Sequence, residues 1–151
     1  MTYFFFFQTL YRSIYSGEAG SVEQLGTPIQ GFLDDYAFLI KGLLDLYEAT
    51  LDSDWISWAN ELQKKQIELF WDSQNFGFFT APDTDKSIIL RMKEDQDGAE
   101  PSGNSVSSLN LLKLGSYTEN SEYKGWHKNI EKKFFLPPTF LQFCKPPLDS
   151  S

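Results

Sequence analysis

Carboxylates gather at two places in this chain in a pattern that suits acid–base work. Asp34 and Asp35 stand together in "GFLDDYAF", and Asp97 and Glu100 lie in "KEDQDGAEPSGNS", where Glu94 and Asp95 add further acid. Two carboxyl groups facing each other across about 5–5.5 Å, or across about 6.5–9.5 Å, carry out retaining or inverting glycoside hydrolysis. Asp34 or Asp35 set against Asp97 or Glu100 would supply such a pair, so these four are the candidate catalytic residues. Each also has a plain structural use. Acids in the first turn of a helix interact favourably with its dipole, by roughly 0.3–1 kcal/mol each, and acids in a loop keep it solvated. Residue types alone leave both uses open.

Other groups could serve the same chemistry. Arg91 and Lys93 lead into the second acid cluster, where they can pair with the carboxylates or hold the oxygens of a substrate. Phe78 and Phe79 in "NFGFF" could stack on a sugar ring and, with Arg91, are the candidate ligand-binding residues. Trp55, Trp58 and Trp71 could stack too, but aromatic residues at helical spacing are more often core. Ser102 and Ser105 stand where a helix begins and read as a cap rather than as nucleophiles. His127 is the single histidine and reads as a surface residue, which leaves sugar 2-epimerisation, a reaction run by bases, without support. The run "DQDG" evokes a calcium loop. With Gly98 at its sixth position, however, Lys93 and Asn104 fall at positions one and twelve, where acids are required, so that reading fails. Cys144 is the only cysteine, so neither an internal disulfide nor a Cys-x-x-Cys site can be built. No metal and no cofactor are expected.

The elements that must position these groups follow from hydrophobic spacing. Residues 16–31, rich in Gly and small polar types, read as a loop. From 32 to 50, Phe32, Tyr36, Leu39, Ile40, Leu43, Leu44 and Tyr47 repeat at helical spacing while Phe38, Leu46 and Ala49 fill other sides, which predicts a helix buried by several neighbours. A second helix, capped by Asp52 or Ser53, carries a narrower apolar stripe of Trp55, Trp58, Ala59, Leu62, Leu69 and Phe70 opposite a polar face. Two strand-like runs, 77–80 and 87–91 around "APDTD", predict a small β-hairpin. A third helix from Ser102 is expected to turn Val106, Leu109, Leu112 and Leu114 inward, and a short fourth helix comes after it. The tail holds Pro137, Pro138, Pro146 and Pro147 and is not expected to continue as a regular helix.

Buried helix, amphipathic helix, hairpin, buried helix, amphipathic helix: that alternation fits a mainly α fold, a helical toroid with inner helices lining an axis and outer helices shielding them, with a small β-hairpin insertion. In such a ring successive inner helices run parallel. The starts of the helices near Asp34 and Ser102 would then share one end with the hairpin and with "DQDGAEPSGNS". The scattered carboxylates would surround one mouth.

A formal net charge of -8 argues against nucleic-acid binding, which requires a basic patch, and against docking on anionic membranes. The apolar block in "MTYFFFFQTLYR" is far short of the ~20 residues that span a bilayer, and it lacks the basic lead and cleavage site of a signal peptide.

"GFLDDYAFLIKGLLDLYEAT", "LFWDSQNFGFF" and "LRMKEDQDGAEPSGNSVSSLNLLKL" together resemble the spermatogenesis-associated protein 20 family, from roughly Gly31 to Trp126. The resemblance implies a partial (α/α)6 toroid, about two of its six helical hairpins, from a larger protein that also has a thioredoxin-like domain, a part this chain does not match. The chain divides accordingly into an irregular N-terminal segment, 1–30, a partial toroid, 31–127, and a divergent Pro-rich tail, 128–151, the two ends being read as products of truncation or alternative splicing. The expected function is that of a fragment without independent catalysis, from a parent connected with spermatogenesis or fertility. The alternative is a carbohydrate-active toroid, with a carbohydrate ligand in the intact parent and mouth acids drawn from this segment. Partners expected are neither nucleic acid nor membrane, but other chains meeting exposed apolar helix faces. An intracellular location is favoured, with secretion the alternative that the resemblance implies.

Overall fold

The computed structural model describes residues 9–13, 29–85, 88–94 and 96–134. The Phe-rich start, most of the expected loop 16–31, Ser87 of the second expected strand run, Asp95 and the Pro-rich tail from residue 135 onward lie outside the described residues, whereas 128–134 continue the fourth helix. Four helices are found among them: α1 (Leu33–Thr50), α2 (Ser53–Phe70), α3 (Gly103–Tyr117) and α4 (Ser121–Phe134). Two short antiparallel strands, β1 (Tyr11–Ser13) and β2 (Ile29–Gln30), pair with Tyr11 opposite Gln30. The fold is thus mainly α with a small two-stranded antiparallel element.

The helices begin where the sequence places their caps. The Asp52 carboxylate accepts from the Asp54 amide at 3.0 Å, and Ser102 Oγ accepts from the Ser105 amide at 3.3 Å. Asn120 Oδ1 does the same for Glu122 at the head of α4. Each side chain satisfies an amide that the first helical turn leaves without a partner.

Two antiparallel helical hairpins result, α1 with α2 and α3 with α4, and they pack side by side through α1 and α3. These two helices run parallel. Leu33 and Asp34 lie against Gly103 at one end, and Glu48 accepts from the Tyr117 hydroxyl at 2.7 Å at the other. Gly103 is required there, because a side chain at that position would overlap the Leu33 side chain and the Asp34 carboxylate. The core that α1 shares with α2 is apolar: Leu33, Tyr36, Ile40, Leu43 and Leu44 meet Ala59, Leu62, Leu69 and Phe70, with the Tyr36 and Phe70 rings edge to face at 5.4 Å.

The seam between the hairpins is different, for its contacts are largely polar. Gln63 donates to Gln66, which donates to Ser107 Oγ, all three side chains being fully buried. Asn110 donates to the Ala37 carbonyl and the Tyr123 hydroxyl donates to Asn60, while within the second hairpin Ser108 Oγ lies 2.8 Å from His127 Nδ1. Buried polar groups usually find partners, Gln63 Oε1 being the exception among these, and the bonds that cross from one hairpin to the other fix how the two sit together.

Two expectations change. Among the residues expected to face inward on α3, Val106 and Leu114 are buried, but Leu109 and Leu112 are exposed at 58% and 39%. The inward positions are held instead by Leu111 with Asn104, Ser107, Ser108 and Asn110. The strand pair also lies elsewhere in the chain than expected. Between residues 77 and 92 the two runs touch through the Thr80 amide and hydroxyl on the Met92 carbonyl, and the bridge that forms is Trp71 with Phe78. The reason is Asn104, whose side-chain amide accepts from Phe78 N–H and donates to the Phe78 and Glu94 carbonyls. Those are bonds that a neighbouring strand would otherwise have made.

Candidate functional site

The starts of α1 and α3 and the loop 71–102 meet at one end of the molecule. The first turn of α1 bonds directly to that loop, Leu33 N–H donating to the Thr80 carbonyl at 2.9 Å. At the same end α4 finishes, its last residue, Phe134, lying over Gly77. Gly77 has a φ of +81°, a left-handed conformation, and a side chain there would strike the Phe134 ring. The loop is organised by Asp72, which accepts from the Gln74 and Asn75 amides at 2.9 and 3.1 Å and from Lys93 Nζ at 2.7 Å. The Lys93 bond and these amides hold the Asp72 carboxyl far below the usual carboxylate range.

The structure sorts the four candidate acids. Asp35 accepts from the Phe32 amide at 2.8 Å and pairs with Arg12 at 3.4 Å, so it caps α1. Asp97 accepts from the Ser102 amide at 2.9 Å and from the Ser105 hydroxyl at 2.7 Å, and so ties the loop to the start of α3. Those two bonds lower its pKa. Asp34 behaves in the opposite way. It is half-buried against Gly103, and its pKa is raised, first by burial and then by the charge of Asp35, with Glu100 adding to the effect and Arg12 opposing it. Glu100 itself is exposed. Burial thus biases Asp34 toward its protonated form, at the end of the molecule where the loop bearing Glu100 meets the start of α1.

The three candidate ligand-binding residues are held by the protein. Arg91 donates through Nε to the Ala81 carbonyl at 2.9 Å and through Nη2 to the Leu69 carbonyl at 2.8 Å, and its guanidinium lies 4.3 Å from the centre of the Phe79 ring. Burial lowers its pKa. Phe79 is partly exposed and receives Lys93 as well, at 4.8 Å from the ring centre. Phe78 is fully buried, edge to face with Trp71 at 5.1 Å, and presents no surface to a ligand. The core claims it because the loop folds back onto the end of α2, where Phe79 N–H donates to the Phe70 carbonyl.

Sequence reasoning missed Asn104, which joins the loop to α3, and it took His127 for a surface residue. His127 is partly buried against α3, with Nδ1 within 3.1 Å of the Ser108 carbonyl as well as near its hydroxyl. The signal available for Asn104 was its place two residues after a cap, in a run too polar for an inner helix unless its side chains are paired.

Among the described residues no helix is long and apolar enough to cross a membrane. No family model matches the chain. The spermatogenesis-associated protein 20 sequences of mouse and human are each 50% identical to it over 115 residues, 76% of this chain, and the rat sequence matches to the same extent. The chain spans about 15% of the length of these relatives. Its similarity to spermatogenesis-associated protein 20 is therefore a half-identity over three quarters of this chain, confined to a short stretch of a much longer protein.

Proposed function

We propose that this chain is a two-hairpin segment of a helical toroid of the spermatogenesis-associated protein 20 type, and that it has no catalysis of its own. The observation that carries this reading is the parallel pair α1 and α3. Their starts share one end, while Phe38 on α1 and Leu109 and Leu112 on α3 remain exposed on the sides turned from the outer helices. An inner helix of a ring has that distribution, and in a ring it is completed by further hairpins. The word spermatogenesis in the relatives' name supports a role in the same setting. The purified chain should turn over none of a panel of chromogenic glycosides. Turnover that Asp34→Asn abolishes would overturn the reading, and absence of the transcript from testis would remove its physiological part.

A second reading is favoured by Asp34. A carboxyl of raised pKa, at the same end of the molecule as the acid-bearing loop, supports a carbohydrate-active mouth in the complete relatives, with this segment supplying the acid. Full-length mouse protein should then gain thermal stability with at least one sugar of a broad panel, and the gain should disappear when the residues aligned with Asp34 and Glu100 are made amides. No shift with any sugar would refute it.

A further inference from the structure

We propose that the Asp97–Gly98 link is a site of covalent modification, converting to isoaspartate through a succinimide, and that the head of α3 holds this reaction in check.

Asp97 is the only aspartate or asparagine in the chain that is followed by glycine. Glycine has no side chain to obstruct ring closure, and its backbone turns freely enough to bring its nitrogen to the preceding carboxyl group. The Gly98 nitrogen attacks Cγ of the protonated Asp97 carboxyl group and gives up its proton; the N–Cγ bond forms, the C–OH bond breaks and water leaves. Water then opens the ring at either carbonyl, which restores aspartate or yields isoaspartate, with the backbone running through Cβ. Water is the only co-reactant, and both residues are exposed to it. The fold itself does not demand glycine at this position. A side chain at Gly98 would meet nothing and the backbone there is not left-handed, whereas Gly77 and Gly103 are each required by a contact.

The structure puts a hold on each reacting group. Asp97 Oδ1 accepts from the Ser102 amide at 2.9 Å and from the Ser105 hydroxyl at 2.7 Å, which turns the carboxylate toward α3. The same two bonds favour its charged form, in which the oxygen is a poor leaving group. The Gly98 N–H, whose proton must be lost, is engaged in donating to the Glu100 carbonyl at 3.0 Å. Reaction therefore waits on a minor state in which the loop has let go of α3. Isoaspartate then makes that release lasting. It inserts a methylene into the backbone and removes one from the side chain, so a single carboxylate oxygen no longer meets the Ser102 amide and the Ser105 hydroxyl together. The modified chain has lost the tie between the acid-bearing loop and the start of α3, next to the contact of Gly103 with Asp34.

Ageing the whole chain at neutral pH, folded and unfolded in guanidinium chloride, beside folded Ser105→Ala and Gly98→Ala, tests this. Isoaspartate is counted by enzymatic methylation with an isoaspartyl methyltransferase and placed by fragment mass spectrometry of the peptide that holds residue 97. Folded wild type should accumulate it at position 97 several-fold more slowly than the unfolded chain. Ser105→Ala removes one of the two bonds and should speed the folded reaction by about tenfold, the factor that one hydrogen bond to a charged group represents. Gly98→Ala should keep the helical circular dichroism spectrum and nearly abolish the product. Folded wild type that reacts as fast as the unfolded chain overturns the proposal, and so does an unfolded chain that forms no isoaspartate at position 97. A folded Ser105→Ala that reacts no faster than wild type overturns it as well. Where circular dichroism shows Ser105→Ala to be unfolded, the ratio of the folded to the unfolded wild-type rate decides.

Discussion

Replacing Asn104 by alanine tests the proposition that one side chain holds the loop to the inner helix. Asn104 is 1% exposed. Its Oδ1 accepts from Phe78 N–H at 2.7 Å, and its Nδ2 donates to the Phe78 carbonyl at 3.0 Å and the Glu94 carbonyl at 2.9 Å. Alanine leaves the two Phe78 groups buried without partners, at about 1–3 kcal/mol each, and frees the Glu94 carbonyl nearer the surface, where water can replace the bond at little cost. The sum is about 2–6 kcal/mol, large beside the roughly 1 kcal/mol of an ordinary point mutation. Urea unfolding followed by tryptophan fluorescence reads the loss, and hydrogen exchange at the Phe78 amide reads its location. Asn104→Asp adds a sign. A carboxylate facing two carbonyls has a folded pKa above its unfolded value of about 3.9, so its destabilisation sets in above that pH and is worse at about pH 7 than at about pH 4. A cost for Asn104→Ala no greater than that of exposed Asn75→Ala, with the Phe78 amide still protected, would refute the reasoning.

Asp34 has a folded pKa above its unfolded one, so its charge destabilises the fold once pH exceeds the unfolded value; Asp34→Asn should raise the urea midpoint at neutral pH, with the gain vanishing in acid. Asp72 and Asp97 are shifted the other way, so the stability they contribute is present above their unfolded pKa and should be lost as pH falls below about 4, an acid sensitivity that Asp72→Asn should blunt. Gly103→Ala should cost about 1–3 kcal/mol by forcing Leu33 and Asp34 off α3, measurable as a lowered thermal midpoint, whereas Gly42→Ala, with open space around it, should stabilise the monomer slightly.

The helices were legible because their signals are local. Asp52 and Ser102 announce their caps, and the crowded apolar pattern of α1 announces a helix covered on several sides. The shared end of α1 and α3 was legible too, since it follows from alternation of buried and amphipathic helices. The features that were not legible depend on partners distant in sequence. Nothing near Phe78 says that Asn104, twenty-six residues on, will take its backbone bonds, so that among the described residues the two expected runs meet at Thr80 and Met92. Leu109 and Leu112 looked inward because leucine usually is. Here α1, α2 and α4 surround the other sides of α3, and Ser107, Ser108 and Asn110 can be buried because Gln66, His127 and the Ala37 carbonyl meet them. Among the acids, first-turn position could not separate Asp34 from Asp35. Their difference lies in which one reaches back to Phe32 and which one is pressed against Gly103.

The closure of Phe134 over Gly77 has a consequence for how such a chain can change over evolutionary time. Because α4 runs back to the end where α1 and α3 begin, the Phe134 ring and Gly77 close that end together. Insertions at the short links 51–52 and 118–120 emerge at the far end. A lineage could thus lengthen those links without disturbing the acid-bearing end. Phe134 and Gly77 mark the contact that changes at the acid-bearing end would have to respect.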